Sequence, residues 1–209
     1  MKLAVMAILA AATAAPCSNP TDGGGWVSLF DGETLKGWRQ VNGTATFLVD
    51  NGTILGTTKK GSPNSFLCTK RLYGDFELEF DVKLDARLNS GVQIRSESYK
   101  EYRDSRVHGY QVEIAANGSA GYIYDEARRG WLSKNRENKG QFKPDDWNHY
   151  RIVCRGDSLR SWVNGTLCAD VTDGMTNKGF IGLQVHSFGD GPPAWVRWRN
   201  LRIREVSAD

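Results

Sequence analysis

The sequence predicts an all-β fold, an antiparallel β-sandwich, on three observations. Short stretches repeatedly alternate apolar and polar residues with period two, the signature of half-buried strands. Glycine is plentiful at 23 residues and proline scarce at 6, a balance that suits turns between strands better than disorder. No long stretch keeps a helical period; only residues 127–138 leave room for a helical turn or a loop.

The elements follow in chain order. Lys2 and the Ala-rich apolar run of residues 3–15, ending Thr13-Ala14-Ala15, read as a secretory signal, so the chain is expected to be exported to the periplasm or beyond. Pro16 stands directly before Cys17, where a lipid-attachment box requires a small residue, which makes lipid anchoring the weaker expectation. Residues 16–25 form a polar, Gly-rich linker, and one domain is expected over residues 26–206.

Within that domain, Phe76 to Lys83 alternates without error. Val92-Gln93-Ile94-Arg95, Tyr110-Gln111-Val112-Glu113-Ile114 and Ile181-Gly182-Leu183-Gln184-Val185-His186 follow the same rule. The inner faces should hold Phe76, Leu78, Phe80, Val92, Ile94, Val112, Ile114, Ile152, Leu183 and Val185. Outward would then point Gln93/Arg95, Gln111/Glu113 and Gln184/His186, which one sheet could gather into a polar floor. Arg197 and Arg199 lie on one parity and Arg202 and Arg204 on the other, so a bulge or break is expected near Asn200.

Four Asn-Gly pairs, at Asn42, Asn51, Asn117 and Asn164, supply the positive-φ residues of type I′ turns. All four also match the N-glycosylation sequon, but the turn is the simpler cause. Two turns separate Cys154 from Cys168, which places them on strands flanking a common neighbour, too far apart for a disulfide.

Composition limits the function. A net charge of +3 without a clustered basic face argues against nucleic acid. No apolar run reaches the length of a spanning helix, and no zinc-protease, esterase or P-loop motif occurs. Gly189-x-Gly191-x-x-Ala194 lacks the strand–helix context of a dinucleotide loop. Glu77, Glu79 and Asp81 share one strand face at a spacing a glycosidase could use, though an exposed charged face explains them as well. Tyr124, Asp125, Arg128 and Trp131 combine aromatic faces with directional hydrogen-bonding groups, a mixture suited to sugars. His186 is placed outward beside Gln184.

Several segments together carry a family resemblance: residues 26–38, Gly74-Asp75-Phe76-Glu77-Leu78, Asn89-Ser90-Gly91-Val92-Gln93-Ile94-Arg95, Gly109 to Ile114, Gly121 to Glu126, Arg129-Gly130-Trp131-Leu132 and Gly182 to His186. In their order they resemble the 3-keto-disaccharide hydrolase domain family. The resemblance implies a concanavalin-like jelly roll with a concave sugar-binding sheet. It also implies cleavage of glycosides whose ring already bears a 3-ketone, in carbohydrate catabolism. Many relatives carry Asp directly after the Glu-Ile pair; here that residue is Ala115.

A 3-ketone acidifies the hydrogen at C2, so the glycosidic oxygen can leave by elimination and water can then add. On this reading His186 or Glu113 is the base, Arg95 stabilises the enolate, and Tyr124 or Asp125 serves the leaving group. Gln93, Gln111 and Gln184 hold hydroxyls, Arg128 assists, and Trp131 walls the site. A divalent metal on Glu113 and His186 is compatible but not demanded. A non-catalytic sugar-binding module and a conventional glycosidase built on Glu77 and Glu79 are the alternatives.

Overall fold

The computed structural model describes residues 21–22, 25–133, 141–189 and 191–206. The expected signal, most of the linker, Cys17 and part of the 127–138 segment lie outside the described residues. Among the described residues there is no helix. The described residues form sixteen strands in two antiparallel sheets.

The nine-stranded sheet contains β1 (Thr21–Asp22), β2 (Trp26–Ser28), β4 (Thr46–Asp50), β5 (Thr53–Thr57), β7 (Phe76–Leu84), β12 (Asn148–Arg155), β13 (Ser158–Val163), β14 (Thr166–Thr172) and β16 (Trp195–Glu205). The seven-stranded sheet runs in the order β11 (Gly130–Trp131), β10 (Ile123–Glu126), β9 (His108–Ile114), β8 (Ser90–Glu97), β15 (Phe180–Val185), β6 (Ser65–Thr69) and β3 (Trp38–Val41).

Alternation determines which face each residue takes. All ten residues expected inside belong to the central core, each at most 1% exposed. Burying one such Leu, Ile or Phe contributes roughly 1.5–3 kcal/mol. Tyr150 and Trp198 join them, with Tyr150 stacked on Phe80 at 5.1 Å.

Turn chemistry matches at three of the four Asn-Gly pairs. Asn42-Gly43, Asn51-Gly52 and Asn164-Gly165 have positive φ at both residues, and the latter two close the β4–β5 and β13–β14 hairpins. At the fourth pair only Gly118 does; the Asn117 side chain instead accepts from the Ser119 backbone N–H at 3.1 Å. The phase change in β16 is a bulge between Arg199 and Arg202, with Asn200 at φ 54°. Cys154 and Cys168 lie on β12 and β14 with β13 between them, and both are free and buried.

The outer face of the nine-stranded sheet is a ladder of ion pairs. Glu77 accepts from Arg151 and, at 2.5 Å, from Arg204. Arg202 holds Glu79 at 2.6 Å. Burial pushes the Glu77 carboxyl up, but the two arginines outweigh it and hold the group below its usual range. The glycosidase alternative built on Glu77 and Glu79 fails here: both carboxylates are committed to arginines.

Arg95 also departs from its expected place. Strict alternation would turn it outward beside Gln93. Instead Arg95 takes a left-handed conformation, φ 48°, and the β8–β9 register shifts between Ile94 and Glu97. The reversal sends the side chain into the protein, fully buried. Its guanidinium donates to the carbonyls of Gly74 at 2.7 Å and Gly156 at 2.6 Å and to Asp75 Oδ1 at 2.7 Å. Gly74 precedes β7 and Gly156 joins β12 to β13, so one cation ties the second sheet's turns to β8. Gly179 permits the bulge, because a Cβ there would lie 2.3 Å from the Arg95 carbonyl carbon. Arg95 is therefore a structural cross-tie, not an enolate stabiliser. Arg95→Ala should lower unfolding free energy by about 3 kcal/mol by stranding buried acceptors. Denaturant titration will read that loss as a lower midpoint.

Candidate functional site

The outer face of the seven-stranded sheet carries a cleft. One lobe, of about 380 Å³, is lined by Asn89, Gln111, Glu113, Tyr124 and Trp131, and Asn64, Arg106, Glu126 and His186 close it. Tyr124 pairs with Gln111 on one side and Trp131 on the other, so the three share a face. The Tyr124 and Trp131 rings meet edge to face at 5.1 Å, and Trp131 is 38% exposed. An exposed indole beside polar groups suits the apolar face of a sugar ring.

Beneath this lobe lies a network of buried amides. Gln93, Gln111 and Gln184 sit side by side on β8, β9 and β15 and are almost fully buried. Gln111 Oε1 accepts from Gln93 Nε2 at 2.7 Å and from Gln184 Nε2 at 2.9 Å. Ser96 Oγ donates to Gln93 Oε1 at 2.7 Å. With its oxygen so used, Gln111 presents its Nε2 donor to Glu113 Oε2 at 3.0 Å. Asn89 Nδ2 donates to the other Glu113 oxygen. Gly91 makes room, since a Cβ there would lie 2.4 Å from the Gln111 amide carbon. Gln93 and Gln184 are thus supports under the site, both donating to Gln111, and not the hydroxyl holders the alternation suggested.

Glu113 is 4% exposed and Glu126 is 7% exposed. Burial pushes both carboxyls above the usual range. Asn89, Gln111 and His186 oppose the shift at Glu113, while Glu126 adds to it. At Glu126 the opposing groups are Arg106, 3.7 Å away, His186 and Asn64. His186 is half-buried, and its Nδ1 lies 2.8 Å from the Ser187 carbonyl oxygen. A carbonyl only accepts, so Nδ1 carries a hydrogen in this contact, and a ring with a single N–H keeps its lone pair on Nε2.

Of the residues expected in the site, Glu113, Gln111, Tyr124, Trp131 and His186 line the cleft. Asp125 and Arg128 do not. Asp125 pairs with Tyr110 across the ladder and so faces the other way from Tyr124. It is fully buried, held by Arg128 Nε at 2.6 Å and Arg129 Nε at 2.5 Å. Arg128 also lies over the Tyr110 ring at 5.5 Å. The residue beside Tyr124 in the cleft is Glu126, two positions on, and period two alone would have found it. Asn89 sits just ahead of β8 in the Asn-Ser-Gly-Val-Gln stretch. Asn64 and Arg106 come from loops, where no periodicity signals them.

Residues 98–107 form a wall beside the cleft. Arg103, Asp104 and Ser105 are successive left-handed residues, with φ of 43°, 56° and 66°. Each non-glycine residue there costs roughly 1–2 kcal/mol. Asn42 fixes the strain: its Nδ2 donates to the Ser105 carbonyl at 3.0 Å and its Oδ1 accepts from the Val107 N–H at 2.7 Å.

The residues present do not fit the divalent metal considered for Glu113 and His186. Both Glu113 oxygens already accept amide N–H bonds. Among the described residues no group of three or more His, Cys, Asp or Glu is gathered to hold an ion.

Residues 25–204 match the 3-keto-alpha-glucoside-1,2-lyase-like domain. The chain belongs to that family. Its carbohydrate-related function follows from that membership, and the jelly-roll fold is shared more widely. A Parabacteroides distasonis protein provisionally described as a glycosyl hydrolase superposes with TM-score 0.64 at 18% identity, over 88% of this chain and 94% of its own. The carbohydrate-binding module CBM66 from Bacillus subtilis gives 0.61 at 19%, over 79% and 94%. The Bacillus licheniformis β-glucanase gives 0.55 at 12%, over 88% and 100%. No curated protein is similar enough in sequence to match.

Gln111→Leu should move the Glu113 titration upward, because a donor that favours the carboxylate is lost while burial remains. Carbon-13 NMR of labelled glutamate side chains will follow it, and Gly91→Ala should act in the same direction by displacing Gln111.

Proposed function

We propose that this 3-keto-alpha-glucoside-1,2-lyase-like domain cleaves 3-keto-glycosides by elimination followed by hydration. The observation that carries the reading is one cleft holding a histidine with a free Nε2 and two buried carboxyls whose protons are held more tightly than usual. Elimination needs a base, a cation or donor for the enolate oxygen, and an acid for the leaving oxygen.

His186 Nε2 takes the C2 proton, and the electron pair of that bond moves toward the ketone as an enolate. Arg106, which reaches the cleft where Arg95 does not, faces the enolate oxygen. The enolate then collapses to a C1=C2 double bond. The C1–O bond breaks with its electron pair on the leaving oxygen, and Glu126 supplies that oxygen's proton. Water next adds its hydroxyl to C1 and gives its other proton to Glu126, while protonated His186 returns a proton to C2, which restores both groups. Glu113, held by Asn89 and Gln111, borders the reacting ring, and Trp131 with Tyr124 holds the keto ring.

The fold it shares with CBM66 supports a second reading, in which the same cleft binds sugar without turnover.

Wild type should convert a 3-keto-disaccharide and leave the unoxidised parent untouched. In deuterated water the product should carry deuterium at C2, which direct hydrolysis would not introduce. His186→Ala should reduce kcat by about 10²–10⁴, with Glu126→Gln losing less when the leaving group is a good one. Calorimetric binding of the keto sugar without turnover would select the binding module instead.

A further inference from the structure

The aromatic side of the cleft stands at the edge of its sheet. Trp131 belongs to β11, a strand of two residues that is paired to β10 alone among the described residues. Tyr124 pairs with Trp131, and Asp125 with Gly130. Past Trp131 the contact continues, because the Leu132 N–H donates to the Ile123 carbonyl at 3.0 Å. At the other end the ladder stops at Gly130, and the chain turns through residues 127–129. Ala127 takes the left-handed conformation there, φ 56°, without being glycine. Such a turn keeps its shape only when its surroundings hold it.

Two contacts hold it. Tyr102 Oη donates to the Ala127 carbonyl at 2.7 Å, which joins the turn to the wall of residues 98–107. Arg129 does more. Its Nε donates to Asp125 Oδ2 at 2.5 Å, its Nη1 to Asp173 Oδ2 at 2.8 Å and its Nη2 to Asp173 Oδ1 at 3.0 Å. Asp173 directly follows β14, in the opposite sheet. It is fixed in turn: Tyr110 Oη donates to its carboxylate, and its backbone N–H donates to the Asp157 carbonyl at 2.8 Å. The Arg129 guanidinium holds the Asp173 carboxyl down at about 2, so the pair stays charged through the neutral range.

We propose that Arg129 is a positioning residue: it buckles the β10–β11 turn to the opposite sheet and so sets where the Trp131 indole stands in the cleft. This rests on the reading that puts the keto ring on Trp131. Arg129 does not line the cleft and acts through the turn, two residues before Trp131. Glu126 is held separately, since it still pairs with Gly109 in the β9–β10 ladder. The indole therefore depends on the buckle more than the acid does.

The buckle needs a guanidinium and not merely a positive charge. Three N–H directions meet two carboxylates on different elements, and a planar fork offers them in a fixed arrangement. A lysine carries the same charge on one nitrogen and cannot reproduce that geometry. Neutralisation of the two acids would survive the exchange, whereas the placement of the turn would not. Arg128 cannot stand in, because its Nε is committed to Asp125 Oδ1 at 2.6 Å and its guanidinium lies over the Tyr110 ring.

The test labels the full chain with 5-fluorotryptophan and assigns the Trp131 fluorine line by its loss in Trp131→Phe. Without sugar, Arg129→Lys and Asp173→Asn should each shift or broaden that line and leave the other tryptophan lines in place. With a 3-keto glucosyl-glucose, both variants should raise KM about tenfold and keep kcat within about threefold, the pattern of lost uniform binding. If the sugar binds without turnover, Kd from calorimetry should rise by the same factor. A Trp131 line that Arg129→Lys leaves unmoved overturns the proposal, and so does a KM or Kd that lysine keeps at the wild-type value. A lower denaturation midpoint with unchanged sugar affinity marks a purely structural tie and overturns it too. A wild-type Trp131 line that ignores the keto sugar sinks the placement of the ring first and takes the proposal with it.

Discussion

A carboxylate shut away from water must be compensated, and the outer side of the seven-stranded sheet is arranged around that requirement at Glu113. Its two oxygens are met by amide donors from Asn89 and Gln111. Gln111 can offer its N–H only because its own oxygen is occupied by Gln93 and Gln184. Three adjacent strands are thereby locked in register. A slip of one residue would turn the glutamines into the apolar core and the valines outward. Gly91 belongs to the same arrangement, since any side chain there would occupy the space Gln111 needs.

This explains why so much of the fold was legible in the sequence. Where one sheet face is core, alternation must be kept: the strands from Phe76, Tyr110 and Ile181 keep it, and the strand from Val92 keeps it as far as Ile94. The bulge in β16 showed itself because the arginines change parity across Asn200. Arg95 hid the same device. Its reversal needs a left-handed residue and a close-packed Gly179, and neither leaves a mark in a pattern of apolar and polar letters. Asp125 misled for a different reason: chemistry was weighed above parity, and parity favours Glu126. Asn117 shows the limit of a dipeptide signal, since its side chain bonds locally and leaves the positive φ to Gly118 alone. Arg106 and Asn64 could not be read at all, because loop residues meet only once the strands are in place.

The two outer faces put the same residue type to opposite uses. Glu77 is as little exposed as Glu126, yet it lies between two arginines, which hold its carboxyl below its usual range. Glu126 has one arginine at 3.7 Å and an amide, and burial prevails. Glu113 has amide donors and no arginine in contact, and burial prevails there too. A carboxylate paired with two guanidinium groups has little left to give a substrate, whereas one without a cation in contact is still open to exchange a proton with a ligand. Charge alone therefore could not locate the site in this chain. The decisive difference is whether each buried acid faces a cation at contact distance, and that depends on which sheet it occupies. The seven-stranded sheet sends one arginine, Arg95, inward to tie the sheets together, and leaves the acids on its outer face to amides, a histidine and one distant guanidinium.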